Sequence, residues 1–476
     1  MARWLLVTIV LAAVAGCGGK ADKPPPQRAC GGAARAATNW PLFGFDAARW
    51  NAAPASVWGG SGSSWHRTEV RLPGTVDSSP VFAAGVRVGG RSCDVFVVTT
   101  TYGRTIATDA RTGARLWTFT PAGISAWEGT TQITTASPAL DVRAGVVFAA
   151  SPDGRIHRLR LADGAETSGW PVTVTRDPAH EKIASALNLD RGRVLVATGG
   201  YLGDAPPYQG HVVAIDARSG HVDSVFNALC ADQARLLSPA SCDASGAAIW
   251  GRSGAVVDPR TGHWLVATGN APWDGRRSFG DSVLALSPDG RLAGSYTPAN
   301  QHELDTGDVD LGSTAPVVLP DGLALEAGKD GLVRLLDPAR FGHGILGGDA
   351  ELMTAPAPGG QAVFAAGAVA RGNPTLAIYA NHAGTTAYAV RGRTIAPAWR
   401  NDHAGTTPVI VGDRVLVFDP DDGVLRILAV RSGRVLTTLR AAPGHWNSPI
   451  VGAGVIVPTG DANAHETSGT LYLYRR

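Results

Sequence analysis

A chain of 476 residues is long enough for one very large domain or two to three ordinary ones. Hydrophobic residues make up 44% and charged residues only 17%, beside 60 glycines and 31 prolines. That composition excludes a helix-dominated protein and favours many short strands joined by turns. The net charge is +2, and no basic stripe interleaved with aromatics occurs, which argues against a nucleic-acid partner.

The chain opens "MARWLLVTIVLAAVAGC", with Arg3 as a short positive region and an apolar stretch from Trp4 to Val14. About a dozen apolar residues is too short to span a bilayer comfortably. Val14-Ala15-Gly16-Cys17 resembles a bacterial lipobox. The resemblance implies a signal peptide over 1–16, cleavage before Cys17 and lipidation of that residue. The protein would then be extracytoplasmic and tethered to the cell membrane or outer membrane by its lipid. Gly18, standing where diderm lipoproteins kept at the inner membrane carry Asp, points by the same resemblance to outer-membrane delivery. Residues 17–38 are rich in Pro, Gly and Ala and read as a flexible tether. Apart from Cys17, the cysteines are Cys30, Cys93, Cys230 and Cys242, an even number suited to an oxidising compartment. Cys230 and Cys242 bracket one loop and are expected to pair, which leaves Cys30 with Cys93.

From Asn39 to Arg476 a hairpin recurs. "ATDARTGARLWTF" from Ala107 reads as a strand, a tight turn at Thr112-Gly113 and a second strand carrying Trp117. It returns as "AIDARSGHVDSVF" from Ala214, "ALSPDGRLAGSYT" from Ala285 and "AVRSGRVLTTL" from Ala429, with weaker copies from Arg160 and Ala389. Units open near small residues before Pro, such as Ser79-Pro80, Ser137-Pro138 and Ser448-Pro449, and run into strands such as "VFVVTT" and "RVLVFD". Turn glycines fall near Gly113, Gly164, Gly220, Gly290, Gly342, Gly392 and Gly433. A spacing of roughly 40 to 70 residues means one supersecondary unit per interval.

A four-stranded antiparallel sheet with two apolar faces cannot bury both alone, and radial stacking buries them while leaving only short edges. The expected fold is therefore all-β: an eight-bladed β-propeller over 39–476, closed by an N-terminal strand. The last unit, "SPIVGAGVIVPTG" to "GTLYLYRR", supplies three strands, and "NWPLFGFDAARWN" near Asn39 is the expected donor of the fourth. Seven blades result if the irregular unit between Gly331 and Gln361 is a loop.

"ATDARTGARLW" resembles the tryptophan-docking repeat of the PQQ-repeat, quinoprotein-like propeller family, and "WPLFGFDAARWN" resembles that family's opening segment. The resemblance implies that Trp117 packs on the next blade. Most copies have lost the Trp, with Phe226, Tyr296 and Leu439 near its place. The motif speaks for fold and not for function.

Two kinds of protein share this scaffold: quinoprotein dehydrogenases, which hold pyrroloquinoline quinone (PQQ) and Ca²⁺ in a central funnel, and cofactor-free lipoproteins resembling the outer-membrane-protein assembly lipoprotein. The first need oxygen ligands for a hard cation, a flat aromatic under the quinone and a carboxylate to take the alcohol proton. Thr268-Gly269-Asn270-Ala271-Pro272-Trp273 resembles the calcium-ligating segment of the dehydrogenases, with one residue fewer before the Trp. The likeness implies Asn270 as a metal ligand, Trp250 as the quinone floor, Lys329 against the quinone and Asp310 as the catalytic base. Asp305 and Asp308 are rivals for that last role.

The departures weigh equally. "GGYLGDAPPYQG" lacks the family's calcium-binding Glu and offers only Asp204, while no two cysteines are adjacent and no haem-attachment motif occurs. Asn270 and Asp281 could serve only as turn formers, and "DTGDVDLG" lacks the downstream Glu of an EF-hand. No cofactor follows from the residues alone. The first reading is a lipid-anchored binding or assembly module presenting a propeller face to a protein, glycan or small ligand. The alternative is a PQQ- and Ca²⁺-dependent alcohol or sugar dehydrogenase, which requires Asn270, Asp310 and Trp250 to converge at one funnel mouth.

Overall fold

The computed structural model describes residues 20–21, 30–32, 37–58, 64–445, 447–457, 459–460 and 467–476. Signal peptide 1–16 and Cys17 lie outside the described residues, as does most of 17–38. Of that segment, Lys20–Ala21 pairs with the outer strand Arg115–Thr120, and the Gly31 amide donates to Asp109 Oδ2 at 2.9 Å.

Eight four-stranded antiparallel blades follow one another, spanning 81–120, 139–173, 188–227, 256–296, 317–356, 368–401, 409–440 and 450–475. The irregular fifth unit is a full blade. Its third and fourth strands, Leu332–Leu336 and Glu351–Pro356, are joined by a long loop in which Gly342 bridges to Ser295 of blade four. Gly342 is thus not the hairpin turn. The other six turn glycines all have positive φ, between 55° and 81°, a region that favours residues without a Cβ.

Strands such as Val95–Thr99 are buried on both faces, which fits their unbroken apolar runs: each sheet is covered by a neighbour on either side. The docking repeat adds a specific latch. Trp117 is 1% exposed, donates from Nε1 to Leu161 O of blade two at 2.9 Å, and lies where a Cβ on Gly164 would come within 2.5 Å of its ring. Trp399 of blade six repeats this on blade seven, donating to Val430 O at 2.9 Å and lying over Gly433. The turn glycine of Asp163-Gly164 and of Ser432-Gly433 is therefore the seat for the preceding blade's aromatic. Both expected disulfides form, Cys30–Cys93 and Cys230–Cys242.

The ring closes through an N-terminal strand, but the donor is His66–Leu72 and not the segment near Asn39. All seven of its residues pair antiparallel with Gly469–Arg475. The stretch from Trp40 to Asn51 instead crosses the axis. Trp40 exchanges backbone hydrogen bonds with Phe82 of blade one, and Leu140 of blade two donates to Pro41 O. Asn188 of blade three and Val257 of blade four bond to Ala47 O, and Trp50 Nε1 donates to Val318 O of blade five. Val369 and Ile410 of blades six and seven donate to Trp50 O and Asn51 O. Arg49, 1% exposed, is the hub: its guanidinium donates to Phe43 O, to Leu187 O at 2.7 Å and to Ser253 O at 3.1 Å. Positive φ at Gly44, Phe45, Arg49 and Asn51 coils the segment into this plug and prevents a strand.

Candidate functional site

In an antiparallel blade, residues before the first strand and residues after the second lie at the same end. Trp250 precedes Val256–Val257 of blade four, and Asn270 follows Trp264–Ala267 of the same blade. Asp310 precedes Val317–Val318 of blade five, and Lys329 follows Ala324–Ala327. Topology therefore delivers all four to one mouth.

Two glycines set the fine geometry. A Cβ on Gly312 would lie 2.4 Å from Thr268 C, so the Asp310 loop can rest on the Thr268 backbone only without one. A Cβ on Gly269 would lie 2.2 Å from Asp310 Oδ1, and its absence lets the carboxylate accept the Asn270 amide at 2.8 Å. The Lys329 amide donates to Asp310 O at 3.0 Å, and its Nζ lies 2.5 Å from Asp310 Oδ2. Asp310 is 8% exposed. Lys329 Nζ also reaches Asp308 Oδ1 at 2.8 Å, and that same oxygen accepts Asn270 Nδ2 at 3.1 Å. Asn270 Oδ1 is buried and makes no hydrogen bond. Burial lowers the proton affinity of Lys329, but the Asp308 and Asp310 carboxylates outweigh it and hold the ammonium above its ordinary value.

Trp250 closes one side of the group. Its indole nitrogen lies 3.4 Å from the position of a Gly269 Cβ, and its ring stands 6.2 Å from that of Phe364, tilted by 30°. Behind Asp310, Asp281 accepts the Leu311 amide at 3.1 Å, and burial pushes its carboxyl up to about 8. Asp281 sits at φ 47°, so it is both a turn former and a buried acid beside the site.

The structure thus brings together Trp250, Asn270, Asp310 and Lys329. Of the rival carboxylates, Asp308 joins the group at its exposed edge, while Asp305 belongs to the short helix Gln301–Thr306. Asp204 lies within electrostatic reach of the Asp308–Asp310–Lys329 group. It is exposed, its Oδ1 accepts Tyr208 Oη at 3.1 Å, and burial followed by the charges of Asp310 and Asp308 raises its proton affinity. Leu202, in the same loop, is fully exposed.

A hard cation fits the donor set at Asn270. Asn270, whose backbone amide bonds the Asp310 carboxylate, keeps a buried side-chain oxygen without a partner, and oxygen ligands are what Ca²⁺ takes. Among the described residues, Cys30, Cys93 and Asp109 bring potential metal-ligand atoms together, but the two cysteines are joined as a disulfide.

Sequence reasoning missed a second group at this end. Asp77, Lys182, Arg252 and His445 precede the first strands of blades one, three, four and eight. They meet across up to 368 residues, and no local pattern announces them.

Comparison with known proteins fits this architecture. A family model described as outer membrane protein assembly factor BamB matches residues 56–225. Quinohemoprotein alcohol dehydrogenase ADH IIB of Pseudomonas putida is 26% identical over 288 residues, 55% of this chain. The chain spans 40% of that relative's length. The quinohemoprotein alcohol dehydrogenase of Comamonas testosteroni superposes with a TM-score of 0.66 at 17% identity, over 92% of this chain and 80% of its own. A europium-containing methanol dehydrogenase gives 0.65 at 15% identity, over 92% and 98%. BamB of Moraxella catarrhalis gives 0.53 at 15% identity, over 87% and 100%. The likeness to solved structures shows the fold alone. The docking repeat, the closed ring of eight blades and the sequence matches together support a quinoprotein-like β-propeller of the PQQ-repeat type.

Proposed function

We propose that the chain is the propeller of a quinoprotein-type dehydrogenase that binds PQQ and a hard cation at the funnel mouth and oxidises an alcohol or a sugar. The observation that carries this reading is the Asn270–Asp310–Lys329 group, in which Asn270 bonds a buried carboxylate and keeps a buried amide oxygen free. When bound, the quinone supplies the two-electron acceptor that the side chains lack. Asn270 Oδ1 and Asp310 would hold the cation, and Trp250 would carry the flat ring system. Asp310 Oδ2 takes the substrate's hydroxyl proton as a general base. Lys329 Nζ, 2.5 Å from Oδ2, and the Asn270 amide, which donates to Oδ1, together fix the orientation of that carboxylate.

Purified protein given PQQ and Ca²⁺ should reduce an artificial dye with an alcohol or aldose, and Asp310→Asn should lower the rate by at least about 100-fold. Absence of both binding heat and dye reduction refutes the reading.

A binding or assembly module is the second reading, favoured by the family model over 56–225. It predicts an unligated protein whose partner docks on the rim loops. For either function we place the chain outside the cytoplasm, tethered through Cys17, a placement supported by the two disulfides. Fatty-acid labelling of the protein in cells, lost in Cys17→Ala, tests the anchor.

A further inference from the structure

The second group at the funnel mouth has more cations than counter-ions. Asp77 is fully buried, and His445 Nδ1 lies 2.7 Å from its Oδ2. Arg252, 7% exposed, donates from Nη2 to Asp77 O at 2.6 Å, while its Nε is buried and makes no hydrogen bond. Lys182 is half-buried and makes no side-chain hydrogen bond or ion pair among the described residues. The carboxylate whose charge is felt by Lys182 and Arg252 is Asp77 alone. Burial brings the Lys182 ammonium down to about 8, partly offset by Asp77. A buried and a half-buried cation thus share one carboxylate, which also faces His445. A desolvated charge without its own counter-ion is costly unless a ligand supplies one.

The position is as informative as the charge. Lys182 lies in the short strand Glu181–Lys182, opposite Gly199. Glu181 faces the blade interior, where it meets His211 at 3.0 Å, so its strand neighbour projects to the other side. Gly199 packs there on Trp250, with its absent Cβ 3.3 Å from Trp250 Cβ. Arg252 follows Trp250 by two residues. The cations therefore border the same aromatic whose indole nitrogen adjoins the Gly269–Asp310 contact.

We propose that Lys182 and Arg252 form a carboxylate-binding site beside Trp250, which takes the acid groups of a planar polycarboxylate. The identity of that polyacid as PQQ rests on the proposed function, whereas the site itself rests on the unpaired cations. The guanidinium Nε and the ammonium each offer a charge-assisted hydrogen bond, the kind that gives a carboxylate both affinity and orientation.

Calorimetry with PQQ, its trimethyl ester and benzene-1,3,5-tricarboxylate tests this. The expected result is tighter binding of PQQ than of the ester by at least about 10-fold. Lys182→Met should remove that advantage and leave the ester unchanged. Arg252→Lys, which retains the charge but loses the Nε donor, should weaken PQQ by a smaller factor, and thermal melts establish that each variant is folded. If PQQ binds and neither the ester nor Lys182→Met differs from it, the carboxylate site is overturned and the dehydrogenase reading stands. If the tricarboxylate binds, and loses affinity in Lys182→Met, while PQQ gives no heat, the site holds and the dehydrogenase reading falls. Binding of neither overturns both.

Discussion

Replacing Trp117 with alanine removes an almost fully buried indole and leaves Leu161 O without its 2.9 Å donor. Large-to-small changes of this kind cost about 3–5 kcal/mol. Gly164→Ala attacks the same contact from the other side. It places a Cβ 2.5 Å from Trp117 Cε3 and 2.8 Å from its Cδ2, at φ 73°. The left-handed backbone alone costs about 1 kcal/mol, and forced overpacking adds about 1–3 kcal/mol. Once Trp117 is alanine the clash is gone and only the backbone cost remains. The double variant should therefore be more stable than the sum of the single losses predicts, by about 2 kcal/mol. Gly192→Ala is the control, since its φ is 78° but a Cβ there meets nothing within 4 Å. It should cost about 1 kcal/mol with or without Trp117. Urea unfolding of the variants, followed by circular dichroism, gives the cycle. Additivity within about 0.5 kcal/mol would refute the claim that the repeated turn exists to seat the neighbouring aromatic.

Three further outcomes are expected. Because Asp281 holds its proton up to about 8 when folded, against 3.8 ordinarily, its contribution to stability drains away as pH rises between those values. Asp281→Asn should leave the melting temperature near pH 4 almost unchanged and raise stability at pH 8 by on the order of 5 kcal/mol; parallel melting curves from pH 4 to 8 would count against it. Lys329→Met removes the ammonium 2.5 Å from Asp310 Oδ2 and frees that carboxylate to turn, so dye reduction should fall by about 10-fold or more, and an unchanged rate assigns Lys329 no role at the site. Replacing Cys230 and Cys242 together by serine should lower unfolding stability by about 3 kcal/mol in chemical denaturation, while no loss would mean that the Asn227 hydrogen bonds to Gln233 O and Arg235 O already hold the loop.

Much of the fold was legible because the docking hairpin is local chemistry. Asp109 Oδ1 accepts the Arg111 and Thr112 amides, Gly113 takes the left-handed step, and the strand after it carries the Trp, all within a dozen residues. The closing strand was misplaced for a reason of the same kind. "NWPLFGFDAARWN" is apolar and aromatic enough to resemble a strand, yet four of its residues adopt positive φ, and the inside of the ring gives its aromatics better burial. "HRTEVRL" is largely polar, and in the structure only Val70 and Leu72 are buried, so it carries too little apolar pattern to mark a blade strand. Trp250, Asn270, Asp310 and Lys329, which the structure brings together, could be singled out because each sits in a stretch resembling the family. The Asp77–Arg252 contact spans 175 residues, joins ordinary residue types and has no such stretch around it.

Once the plug and the ring are fixed, the charges at the mouth acquire a direction. Asp308 and Asp310 with Lys329 lie on the Gly269 side of Trp250, and Lys182 and Arg252 lie on its Gly199 side. Each group comes from different blades, so the separation is set by the ring and not by a mobile loop. A ligand carrying acid groups at one end and its reacting atoms at the other can satisfy both sides in one orientation only. Reversed, it would set its carboxylates against Asp308 and Asp310 and leave Lys182 and Arg252 unanswered. That asymmetry distinguishes a site built for one ligand pose from a polar rim, and exchanging the two charges, Lys182→Glu with Asp310→Lys, should abolish it even if the propeller still folds.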